Sequence, residues 1–250
     1  MIYKKKLRFF IKLIFLIPFL LILSLDEIVG STQQDLDFSY VLWSCIFGNL
    51  EAGNVASLIS SVKLISSLLM FILLYGNYVT EYLAGIANVF FVRVKSRKKW
   101  SKTKIMELSV YAFVYILLFI VLEVAICSCR VEKIVFDKTL IVTLSAIIGI
   151  VVPILIILIV VASGIAIKWG SSIGLLTALL LTVGLEVLAI LKLRNPINIV
   201  LNPMCFNEML LENPRLLAFK IIANCIYVEA AVRNLVLFIE HMDIWGKENS

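Results

Sequence analysis

Between Leu140 and Ala162 the chain carries no charged side chain and consists mostly of Ile, Val, Leu, Ala and Gly. Wound as a helix, such a stretch crosses the roughly 30 Å hydrocarbon core of a bilayer. In lipid the backbone must satisfy its own hydrogen bonds, so only helices and closed barrels can span. Comparable stretches lie near 9–25, 56–79, 108–127, 172–193 and 216–239, the last being the most polar. With 62% apolar and 16% charged residues in 250, and a mean hydropathy of +1.04, the chain reads as all-α: a single transmembrane domain over 1–250, with six membrane helices. A basic start and a short apolar stretch ending in Ile28, Val29 and Gly30 before Ser31 also fit a cleaved secretory signal in place of the first span.

The net charge of +6 is concentrated in blocks. Lys4, Lys5, Lys6, Arg8 and Lys12 open the chain, and Arg93, Lys95, Arg97, Lys98, Lys99, Lys102 and Lys104 crowd the connection after the second span. The intervening stretch carries Asp26, Glu27, Asp35, Asp37 and Glu51 and no base over 26–54. By the positive-inside rule, both termini and the 80–107 segment are cytoplasmic and 26–55 is external. The basic charge is a topology signal and implies no nucleic-acid partner. Lys192, Arg194, Arg215 and Lys220 around the external 194–215 loop run against the rule, and a five-span arrangement remains open.

Chemistry is sparse. With His241 the one histidine, an HExxH metalloprotease site is excluded, and no GxxxxGK[ST] phosphate loop occurs. No GxSG serine motif and no pair of aspartates within the spans points to an intramembrane enzyme. The cysteines Cys45, Cys127, Cys129, Cys205 and Cys225 lack metal-site spacing, and topology alone permits a Cys45–Cys205 disulfide between outer loops.

Ionisable residues within spans are costly and mark bundle interiors or polar pathways. Lys63 is placed to snorkel outward and Glu123 lies toward the outer end of its span. Glu186 has no partner on its own helix, which points to an inter-subunit or pathway contact. Glu229 and Arg233, one turn apart, can neutralise each other on one helix face. In the 194–215 loop, Pro196, Pro203 and Pro214 preclude one continuous helix, and Met204, Phe206, Met209, Leu210 and Leu211 make its middle apolar enough to enter the outer leaflet.

The long connection EYLAGIANVFFVRVKSRKKWSKTKI places Leu83, Ile86, Val89 and Phe90 on one helical stripe, followed by bases around Trp100. It fits an interfacial helix held to anionic lipid, or a helix docked in a groove of a soluble partner. With the basic opening MIYKKKLRFFIK, the RVKSRKKW stretch, closely spaced spans three to five and an outer segment before the last span, the chain resembles the membrane permease of type-2 ATP-binding-cassette exporters. The small permeases of bacteriocin or peptide export and self-immunity in Gram-positive bacteria are the nearest kind. The resemblance covers most of the chain and implies a multi-pass plasma-membrane protein with no enzymatic activity of its own. It further implies a coupling helix within Glu81 to Arg93, including Leu83, Ile86, Val89 and Phe90, docked on a cytoplasmic ATPase that supplies ATP and Mg. A second permease copy or related permease, membrane lipid and a peptide or lipid-like substrate are the other implied partners. By resemblance the 194–215 loop is a short helical hairpin closing the exit. The competing expectation is a stand-alone membrane immunity or sensor protein without transport.

Overall fold

A computed structural model describes residues 38–47, 62–76, 78–80, 97–128, 138–191, 195–206 and 209–241, with Ile11 and Pro18. Its helices are α1 (Phe38–Phe47), α2 (Val62–Tyr75), α3 (Arg97–Ser128), α4 (Lys138–Trp169), α5 (Ser171–Leu191), α6 (Pro196–Leu201), α7 (Met209–Glu212) and α8 (Pro214–His241), with no strand among the described residues. Five helices, Val62–Thr80, α3, α4, α5 and α8, are long and apolar enough to cross a membrane. The expected first span at 9–25, apart from Ile11 and Pro18, and the expected coupling helix with Glu81, Leu83, Ile86, Val89, Phe90 and Arg93 lie outside the described residues.

The helix α3 begins at Arg97, well before the expected start of its span at 108. Residues 97–107, read as the end of a connecting loop, are its first turns, because Arg, Lys, Met and Glu are good helix formers whatever their charge. The ion pair of Lys104 with Glu107 at 2.7 Å and the bonds from Ser101 Oγ to the Lys98 carbonyl and Thr103 Oγ1 to the Lys99 carbonyl lie on these turns. At 32 residues the helix is about 48 Å long, so about 18 Å of it extends past the hydrocarbon.

α4 packs against α1, α2, α3, α5 and α8 and forms the centre of the bundle. It ends at Trp169, and α5 starts two residues later. Gly170 makes this reversal with φ +99°, a left-handed conformation that a Cβ disfavours, and donates its N–H to the Ala166 carbonyl at 3.0 Å. Gly174 then lets the two helices touch: a Cβ there would stand 2.5 Å from the Ala162 carbonyl oxygen and 2.8 Å from the Ala166 Cβ. Pro153 lies inside α4 without ending it.

Side-chain bonds set the order of levels along the bundle. Lys63, Ser67 and Tyr78 meet Glu123, Tyr115 and Glu107, so the 62–80 stretch runs antiparallel to α3. Gly149 and Gly164 of α4 face Ile221 and Leu235, so α4 and α8 run parallel. The end holding Arg97, Lys168 and His241 is called the basic end here, and the opposite one the far end. α1, though only 10 residues long, inserts between α2, α3 and α4 with Leu42, Trp43, Ile46 and Phe47 fully buried. By contrast α8 is the least covered, with 22% of its most apolar window buried against 50% for α4.

Candidate functional site

Two groups of polar side chains lie inside the bundle and a third faces outward. The first joins α2 to α3. Lys63 Nζ stands 2.5 Å from Glu123 Oε2, with side-chain exposures of 9% and 0%. Lys63 therefore does not snorkel outward: a carboxylate on the neighbouring helix offers a stronger partner than distant water, and pairing offsets the desolvation of both charges. Below it the Tyr115 hydroxyl donates to the Ser67 carbonyl at 2.8 Å, beside the rings of Phe71 and Tyr75.

The second group closes the far end and is built from three Asn-Pro pairs. Asn195 precedes Pro196 and caps α6, its side-chain oxygen accepting from the Ile197 N–H at 3.0 Å. Asn213 precedes Pro214 and caps α8 by accepting from the Arg215 and Leu216 N–H groups. Proline suits such first helical positions because its missing N–H is not needed there. Asn202, before Pro203, instead ends α6: its Oδ1 accepts from the Met204 N–H at 3.0 Å and its Nδ2 donates to the Leu185 carbonyl of α5 at 2.9 Å. The segment that follows turns inward, burying Met204, Cys205 and Phe206. Phe206 stacks on Phe47 of α1, centroids 4.3 Å apart.

Lys220 fastens this closure. Fully buried in α8, it donates to the Ile199 carbonyl at 3.0 Å and to the Asn202 carbonyl. Those oxygens belong to the C-terminal end of α6, where helix carbonyls lack partners and carry partial negative charge. A lysine read as a loop base against the positive-inside rule thus serves inside the fold. Glu186 of α5, fully buried, and Lys220 both act electrostatically on Cys205. Burial pushes the Cys205 thiol up to about 11, the Lys220 ammonium acting downward and the Glu186 carboxylate upward. One turn below Lys220, Asn224 is buried with neither side-chain oxygen nor nitrogen hydrogen-bonded among the described residues. An amide in that state is costly.

The expected site residues therefore separate. Glu186 is fully buried in the interior beside the far-end closure. Glu229 and Arg233 face outward and make no ion pair with each other, so the expected self-neutralisation on α8 is not formed. They rim a cleft of about 550 Å³ between α3 and α8 whose other side carries Lys98 and Lys102. Cys45 and Cys205 are buried and form no disulfide. Among the described residues no cluster of His, Cys, Asp and Glu could hold a metal ion.

Lys220, Asn202 and Asn224 went unrecognised as site residues in the sequence. The three Asn-Pro pairs were the available signal, since each announces a helix start or a tight turn. No protein-family profile, no curated protein and no solved structure matches the chain.

Proposed function

We propose that the chain is the permease subunit of an ATP-binding-cassette exporter, moving an amphipathic, bacteriocin-like peptide or a lipid-like molecule outward. It sits in a Gram-positive plasma membrane with both termini and the 80–107 segment on the cytoplasmic side. A separate ATPase binds a coupling helix within Glu81 to Arg93 and supplies ATP and Mg, and a second permease completes the pathway. The supporting observation is the far-end closure. Residues 195–206 fold over the bundle and are held by side chains to two helices at once, Asn202 to α5 and Lys220 of α8 to α6. Drawing α5 and α8 apart breaks those bonds and opens the space around Glu186, the two-state change an ATP-driven exporter needs.

Co-purification of the chain from its host in mild detergent tests the reading, comparing wild type with Ile86→Asp/Val89→Asp/Phe90→Asp. The expected result is an ATP-binding-cassette ATPase, identified by mass spectrometry, that accompanies wild type and is lost from the folded variant. Wild type that never carries such an ATPase, while remaining folded, overturns the proposal.

A further inference from the structure

The outward face of α8 is unusual for a helix in lipid. Phe219, Ile222, Ile226, Glu229 and Arg233 all face outward and follow one another at alternating spacings of three and four residues, the spacing of a seam between two helices packed side by side. Ala230 lies beside that seam, small enough for close approach. Asn234 and Leu237 continue the same outward surface. Glu229 and Arg233 lie toward the basic end, across a cleft from Lys98 and Lys102, and there an acid and a base stand unpaired with each other on the least covered helix of the bundle.

We infer that this face is the contact with a second copy of the chain, through an α8–α8 seam in which Glu229 of each copy pairs with Arg233 of the other. Two copies inserted in the same sense are related by a two-fold axis along the membrane normal, so their α8 helices run parallel. In that arrangement an acid faces a base one turn away, about 6 Å along the axis, within reach of an arginine. The two-fold operation makes the pair twice, so a self-complementary patch neutralises all four charges at once. An acid and a base four residues apart suit such a patch better than an anionic lipid, which would leave Glu229 facing its headgroup. The inference deepens the permease reading by naming the surface for the second copy, and it rests on that reading only for the second permease being this same chain.

The test uses the purified full chain without any ATPase, in phosphatidylcholine vesicles, with dimerisation followed by energy transfer between labelled copies on lipid dilution. Wild type is expected to dimerise. Glu229→Arg and Arg233→Glu are each expected to weaken the dimer by about tenfold, which is about 1.4 kcal/mol. The exchanged variant Glu229→Arg/Arg233→Glu is expected to recover wild-type affinity. If a single variant fails to fold, Ile222→Cys in the wild-type charge background is expected to cross-link between copies under mild oxidation, whereas Val121→Cys on the outward side of α3 is not. A monomeric wild type, equal affinity in wild type and all three charge variants, or an exchanged variant that stays weak overturns the inference. So does a monomer stabilised by phosphatidylglycerol through Lys98, Lys102 and Arg233, which would make the face a lipid site. ATPase capture is unaffected by these outcomes, so failure of the seam and failure of the permease reading are separable.

Discussion

Removing one member of the Lys63–Glu123 pair exposes how the far half of the bundle is held together. The two groups lie 60 residues apart in sequence and 2.5 Å apart in space, with the carboxylate fully buried. Lys63→Met leaves the Glu123 carboxylate without this ammonium, and Glu123→Gln leaves the Lys63 ammonium without this counter-charge. Breaking a buried pair in this way costs about 3–5 kcal/mol, whereas replacing both partners with apolar residues of similar volume is close to neutral. Each single variant is therefore expected to be destabilised by about 3 kcal/mol or more, and Lys63→Met/Glu123→Leu by under about 1 kcal/mol. Reversible unfolding in mixed micelles, titrated with denaturing detergent, gives the three differences and their coupling. Single variants within about 0.5 kcal/mol of wild type, with no coupling, would falsify the buried pair and restore the picture of a lysine extended to the interface.

The hairpin of α4 and α5 depends on Gly174. Its Cβ would meet a backbone oxygen at 2.5 Å, so Gly174→Ala is expected to lose about 1–3 kcal/mol in the same unfolding assay, and Gly184→Ala, with open space at that position, is expected to be unaffected. Lys220→Met is expected to cost about 3 kcal/mol, since it strips a charged donor from two buried carbonyls; full stability would show that those bonds hold nothing. Cys205, kept as the one cysteine, is expected to react slowly with a neutral thiol reagent at pH 7 and progressively faster up to about pH 11, because its raised value delays thiolate formation. A rate that levels off near pH 9 contradicts the burial of that thiol.

Five of the six expected spans were legible as long apolar helices because hydrocarbon thickness imposes a length that composition reveals directly, as in the uncharged stretch from Leu140 to Ala162. The start of α3 was not: a run of bases resembles a loop by hydropathy, although lysine and arginine extend a helix as readily as they leave one. Lys63 and Glu123 were both visible as costly residues, but their pairing depends on two helices meeting, which no local pattern encodes. Lys220 was misread for a related reason, because the positive-inside rule assumes solvated charge and this ammonium is spent on the end of α6. For Glu229 and Arg233 the spacing was legible, while their outward direction follows from how α8 sits on α3 and α4.

The proposed ATP-driven opening of the far end is tested at Cys205 itself. In host membranes carrying the partner ATPase, a chain with Cys205 as its one cysteine is labelled with a neutral thiol reagent in the presence and absence of ATP and Mg. The permease account predicts labelling that accelerates several-fold with ATP, and no acceleration in Ile86→Asp/Val89→Asp/Phe90→Asp. Equal rates with and without ATP in wild type would contradict it, leaving residues 195–206 as a fixed cap on a membrane protein that does not transport.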